Sequence, residues 1–170
     1  MEHSAGIVVW RKRTEVEMLL VHPGGPFWAN KDEHAWSIPK GEFDPADEAA
    51  IDAARREFEE ELGVPPPAGP SIALPPFRAG KKTLHVWLVE GEFDPGTITG
   101  DDVHRSMVEM VWPPRSDRSA SFPEVDRARW VELSGAVSLL HKGQARIVDL
   151  IEGELVADDT DGEWPSRPSD

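Results

Sequence analysis

The residues with the most chemical potential lie between Pro39 and Val64, in the run PKGEFDPADEAAIDAARREFEEELGV. Gly41 to Gly63 holds nine acids against two bases, Arg55 and Arg56. Three of the acids, Glu57, Glu60 and Glu61, are spaced i, i+3 and i+4, which on an α-helix puts them on one face. Carboxylates at that spacing repel one another, so packing alone gives no reason for the cluster. A hard divalent cation does, because Mg2+ or Mn2+ takes oxygen ligands and accepts several carboxylates together.

The spacing also predicts the helix that would carry them. Asp44 or Asp47 is suited to cap its start, with Pro45 at an early position. Gly63 is suited to close it in left-handed geometry, and Pro65 to Pro67 forbid continuation. Ile51, Ala54, Phe58 and Leu62 recur at three- and four-residue steps and form the face that docks on a core. Arg56 precedes Glu60 by four residues and Arg55 precedes Glu59 by four, offsetting part of the charge.

This stretch resembles the Nudix box, G-x5-E-x7-R-E-U-x-E-E-x-G-U with U apolar. Arg56-Glu57-Phe58-Glu59-Glu60-Glu61-Leu62-Gly63-Val64 matches its second half at every specified position. The first half departs from it: six residues, not five, separate Gly41 from Glu48, so the first acid is Glu48 or its neighbour Asp47. The resemblance implies an α+β fold, a Nudix-type α/β/α sandwich with a mixed β-sheet and a loop-helix-loop catalytic motif. It also implies Mg2+-dependent (or Mn2+-dependent) hydrolysis of a nucleoside diphosphate linked to another group. On that reading Glu57 and Glu61 are metal ligands, and Glu60 is a third ligand or the general base. The backbone carbonyl of Lys40 or Gly41 adds a ligand, and Arg56 belongs to the catalytic set by orienting a glutamate. Glu124 stands six residues before Trp130, as a late acid does in the bacterial members that clear oxidised dGTP, and is expected to bind metal or act as base.

Around this stretch, Ala5–Trp10 and Val16–Val21 read as strands of a hairpin, followed by a Pro/Gly break and an exposed aromatic loop at Phe27 and Trp28. Residues 35–38 read as a short strand feeding the box. Residues 65–76 contain six prolines and read as a stiff surface loop. Further strands are expected at 84–90, 108–112 and 129–133, with a polar loop at 113–122 and a closing helix at 143–151. The sequence from Glu152 on is acidic and is expected to fray, giving one domain over 1–151 and a flexible tail over 152–170. Gly91-Glu92-Phe93-Asp94-Pro95 repeats Gly41-Glu42-Phe43-Asp44-Pro45 without the glutamates. It reads as a recurring turn.

The chain has 170 residues and a net charge of −14. Nine acids against two bases fall at 41–63 and seven against one at 152–170, which leaves the remainder at −1. No basic footprint for duplex nucleic acid is evident. The absence of cysteine excludes disulfides and thiolate chemistry and, with no apolar run of membrane-spanning length and no signal-peptide pattern, leads to a cytoplasmic expectation. A small-molecule nucleotide is the expected partner. Lys40, Lys81 and Lys82 are expected to hold its phosphates, and Phe27, Trp28 or Trp112 to stack its base. Gln144 is in a position to read a base edge. The histidines show no ligand spacing and are assigned no chemistry. The favoured activity is a nucleoside polyphosphate pyrophosphohydrolase (NTP, dNTP or dinucleoside polyphosphate). The alternatives are an ADP-ribose or sugar-nucleotide pyrophosphatase, or a nucleotide-binding module without catalysis.

Overall fold

The computed structural model describes residues 1–99 and 105–160. Among the described residues nine strands and three α-helices run in the order β1 (Glu2–Lys12), β2 (Val16–Pro23), β3 (Lys40–Phe43), α1 (Ala50–Leu62), β4 (Ser71–Ala73), β5 (Phe77–Ala79), β6 (Lys82–Glu90), β7 (Met107–Val111), β8 (Ser119–Pro123), β9 (Val125–Glu132), α2 (Leu133–Leu139) and α3 (Arg146–Thr160). Seven strands form one mixed sheet in the order β4-β6-β1-β2-β9, with β3 also on β1 and β5 also on β6. β1 is its axis. It pairs antiparallel with β2 and β3 and parallel with β6, Gly6 lying opposite Lys40 and Ser4 opposite both Glu42 and Leu84.

Alternation along β1 sends side chains to two cores. Ala5, Ile7 and Val9 meet Ala53, Ala54, Phe58 and Leu62 of α1 on one face. Val8, with Met18, Leu20, Val86 and Leu88, meets Leu133, Ala136, Ile147 and Ile151 of α2 and α3 on the other. The result is the expected α/β/α sandwich. α1 buries the Ala54/Phe58/Leu62 stripe read from the sequence and ends at Gly63, at φ 75° with its N–H on the Glu59 carbonyl. Ile51 is only half-buried, and Ala53 takes the fourth buried place.

The start of α1 differs from expectation. Its N-cap is Ala49, with no side-chain cap. Asp44 is instead spent on its own turn, its Oδ1 accepting the Ala46 N–H at 2.9 Å and its carbonyl the Asp47 N–H at 3.0 Å. Asp94 makes the same turn in the second GEFDP copy, with Gly96 N–H on Oδ1 at 2.9 Å and Thr97 N–H on the carbonyl at 3.0 Å. The repeat is therefore one Asx turn used twice. Arg55 pairs with Asp52 at 3.8 Å and not with Glu59.

Other departures have simple causes. Residues 35–38 make only isolated bridges, Val21 to Ser37 and Trp36 to Leu140, and the ladder strand begins at Lys40. The proline-rich stretch contains β4, whose prolines flank an edge strand without interrupting it. The second half of the expected 113–122 loop pairs as β8 with β7, and the two form a separate hairpin. α2 carries Gly135 and Ser134, weak helix formers, and is held by burying Leu133 and Ala136. α3 is assigned from Arg146 through Thr160, beyond the helix end expected at 151. The part of the expected tail beyond it lies outside the described residues, and no described helix is long and apolar enough to cross a membrane.

Candidate functional site

A cleft of about 610 Å3 opens where the C-terminal turn of α1 meets β3, the 23–28 loop, the β5–β6 turn and the segment before α3. Lys40, Glu61 and Glu124 line it, with Ser4, Ser37, Lys82 and His141. Trp28, Val108 and Met110 form part of an apolar wall.

The glutamates are placed by backbone. β3 runs beneath α1 at Gly41, and a Cβ built there would overlap the Glu57 carboxylate. Only glycine lets that carboxylate lie flat on the strand. The Lys40 N–H donates to the Glu61 carboxylate. Glu124 is fixed on both sides, its N–H on the Ser106 carbonyl at 2.9 Å and its carbonyl accepting the Gly24 N–H at 2.9 Å. The Ser106 N–H in turn reaches the Glu60 carbonyl at 2.6 Å, tying that loop to α1.

Arg56 organises the outer half of the cluster. Its Nη2 and Nε donate to the two oxygens of Glu48 at 2.9 and 3.1 Å, and its Nη1 donates to Glu57 at 2.6 Å and Glu60 at 3.2 Å. The acid left open between Asp47 and Glu48 is thus Glu48, so the extra residue is absorbed in the loop. Hydrogen bonding to Glu48, then to Glu57, raises the guanidinium pKa despite partial burial. The same contact holds Glu48 below the ordinary carboxylate range.

The inner half is electrostatically the reverse. Burial pushes the Glu61 carboxyl up to about 8, and the neighbouring Glu124 and Glu57 carboxylates push it the same way, against the pull of Lys40. Burial also raises Glu57, opposed by Arg56 and assisted by Glu60 and Glu124. Glu57 and Glu61, both partly desolvated, therefore repel each other and the exposed Glu124 beside them. Among the described residues no three acids or imidazoles already converge as a metal cage, because Arg56 draws Glu57 and Glu60 to itself. The donor set nonetheless fits a hard divalent cation in kind: anionic oxygens, one of them buried without a full counter-charge. Glu60 faces outward, its side chain 49% exposed, and does not line the cleft.

Of the residues expected to meet substrate, Lys40 and Trp28 line the cleft, whereas Lys81 and Trp112 do not. Lys81 lies at the β5–β6 turn, and Lys82, one residue on, points into the cleft and pairs with Glu42 across β1. Phe27 is 57% exposed, stacked edge-on against Trp28 and capped by the Lys31 ammonium at 3.4 Å. Gln144 is not free to read a base. Its Oε1 accepts the Ile38 N–H at 3.1 Å and its Nε2 donates to Ser37 Oγ at 2.9 Å, so it fixes the segment leading to Lys40. His22, passed over in the sequence, is fully buried between Asp126 and the Lys31 carbonyl, at 3.0 and 2.7 Å, and anchors the Trp28 loop. Nothing in its spacing to other residues marks that role, since both partners are remote or backbone.

The family model described as NUDIX domain matches residues 2–151. Among solved structures, the chain is similar to an Ap4A hydrolase from C. elegans, with 21% identity, TM-score 0.57, and 92% of this chain and 99% of that one covered. It is similar to a NUDIX hydrolase from Nitrosomonas europaea, with 15% identity, TM-score 0.57, and coverage of 92% and 89%. It is also similar to the NUDIX domain of Shewanella oneidensis NrtR complexed with ADP ribose, with 14% identity, TM-score 0.56, and coverage of 89% and 86%. At these identities the likeness is one of fold.

Proposed function

Since the chain belongs to the NUDIX family, we propose that it is a divalent-metal-dependent hydrolase of phosphoanhydride bonds in nucleoside polyphosphates. The observation that carries this reading is the cleft that Glu61 and Glu124 line together with Lys40 and Lys82, with Glu61 desolvated and the carboxylate of Glu57, on the same helix, lying over Gly41. Such a site repels anions by itself and accepts them once a cation is present. A bound Mg2+ or Mn2+ would neutralise the diphosphate and supply Lewis acidity, with Glu57, Glu61 and a carbonyl of Lys40 or Gly41 to hold it.

The remaining roles belong to the chain. Lys40 and Lys82 take phosphoryl charge from two sides of β1. Glu124 lines the cleft and is the better proton acceptor for an attacking water; Glu60, outside the cleft and held by Arg56, serves the electrostatics of the helix. Arg56 is a positioning residue, fixing Glu57 from its outer side. Trp28, Val108 and Met110 give an apolar wall of the kind that a base would cover.

A neighbour named as an Ap4A hydrolase and another complexed with ADP ribose define the two substrate classes to separate. The test is a panel of NTPs, dNTPs, dinucleoside polyphosphates and ADP-ribose with Mg2+, products read by chromatography, alongside Glu57→Gln. Mg2+-dependent cleavage of a polyphosphate chain, lost in the variant, is expected. Cleavage of ADP-ribose alone moves the assignment to the sugar-nucleotide class, and turnover of nothing in the panel removes the hydrolase reading.

A further inference from the structure

Among the described residues three polar side chains are buried: Ser4, His22 and Gln144. Buried polar groups are hydrogen-bonded almost without exception. His22 is engaged at both ring nitrogens and Gln144 at both amide atoms. Ser4, 5% exposed, has no side-chain hydrogen bond to any described residue. Its hydroxyl is not sealed in the core, for no described buried side-chain atom lacks a partner. It reaches the cleft, whose lining includes it.

The strand register fixes its surroundings. Ser4 lies on β1 opposite Glu42 of β3 and Leu84 of β6. Residues two apart on a strand share a face, so Lys40 on β3 and Lys82 on β6 flank Ser4 on the same side of the sheet, and both line the cleft. A phosphoryl group shared by those two ammonium groups would sit above β1, on the side from which the Ser4 hydroxyl rises. Lys82 is pre-aligned there by its pairing with Glu42. A serine is also small enough to leave the two lysines room to meet one anion.

We infer that Ser4 is a substrate-binding residue whose hydroxyl donates a hydrogen bond to a phosphoryl oxygen held between Lys40 and Lys82. This rests on the phosphoanhydride reading above and adds to it a binding group on the cleft floor. The contact is made to bound substrate throughout the reaction, so it acts on binding and not on the chemical step.

Calorimetric titration of the full chain with inorganic pyrophosphate in Mg2+, and separately with adenosine, tests it. Ser4→Ala is expected to weaken pyrophosphate binding about tenfold, as fits loss of one hydrogen bond to a charged group, and to leave adenosine unchanged. In turnover it is expected to raise KM about as much with kcat unchanged. Its melting temperature should stay at the wild-type value, because no bond within the protein is lost; a fall of several degrees would show an internal partner and overturn the inference. Unchanged pyrophosphate affinity, weakened adenosine binding alone, or a wild-type chain that does not bind pyrophosphate would each overturn it too. Metal-dependent hydrolysis that Glu57→Gln abolishes and Ser4→Ala leaves untouched would sink Ser4 and spare the hydrolase. Weakened pyrophosphate binding in a chain that hydrolyses nothing would do the reverse.

Discussion

Replacing Glu61 by Gln should stabilise the protein in the absence of divalent cations and abolish its stabilisation by them. The carboxyl of Glu61 is half-buried, faces Glu57 and Glu124, and has its pKa raised from 4.5 to about 8. A group whose folded pKa lies above its unfolded value favours folding while protonated. That contribution is full below pH 4.5, declines as the unfolded chain ionises, and is gone once pH passes about 8. At pH 7.5 the folded state therefore bears nearly the whole cost. A shift of this size converts to ~5 kcal/mol, and screening at the open side of the cleft leaves ~2 kcal/mol. Gln keeps the shape and the Lys40 N–H contact but cannot ionise. For a domain of this length ~2 kcal/mol is about 5 °C in Tm. Scanning calorimetry in EDTA at pH 7.5 should show the variant higher by about that much, and the gap should close at pH 5. Adding Mg2+ should raise wild type by mass action and the variant hardly at all. A variant that melts lower than wild type in EDTA at pH 7.5, or one still stabilised by Mg2+, would refute the view of Glu61 as an uncompensated carboxylate awaiting a cation.

Gly41→Ala should lower kcat/KM by about 10²-fold, because the new methyl displaces Glu57 from the strand; a steady-state assay reads it, and wild-type turnover would contradict the packing. Arg56→Lys keeps the charge but loses the fork on Glu48 together with the reach to Glu57, and should cost about tenfold or more in kcat with the fold intact by circular dichroism. Gln144→Met should leave the Ile38 N–H unpaired in the core and cost ~1–3 kcal/mol in denaturant unfolding; a wild-type unfolding midpoint would contradict that role.

Much of this site is legible in the primary structure because its parts are local. Helical spacing puts Glu57, Glu60 and Glu61 on adjacent turns of α1, and Gly63 marks the helix end. The start of the helix is not local in the same way. Asp44 had two possible employments, a cap or an Asx turn, and only the path from β3 into α1 decides between them. What stays hidden is non-local. That Lys82 and not Lys81 faces the cleft follows from strand register, and one residue of slip reverses it. Ser4 acquires a role only when β3 and β6 flank β1, and Gln144 only when the segment before α3 lies against Ile38. Glu60 and Glu61 look equivalent along the chain. Their difference, one held outside by Arg56 and one buried beside Glu124, comes from how α1 is rolled on the sheet.

The most direct trial of the carboxylate site is an electron paramagnetic resonance titration of the full chain with Mn2+. Saturable loss of the free-ion signal, competed by Mg2+ and abolished by both Glu57→Gln and Glu61→Gln, is the predicted result. Equal Mn2+ binding by wild type and the two variants would contradict the assignment of those glutamates as the cation's ligands.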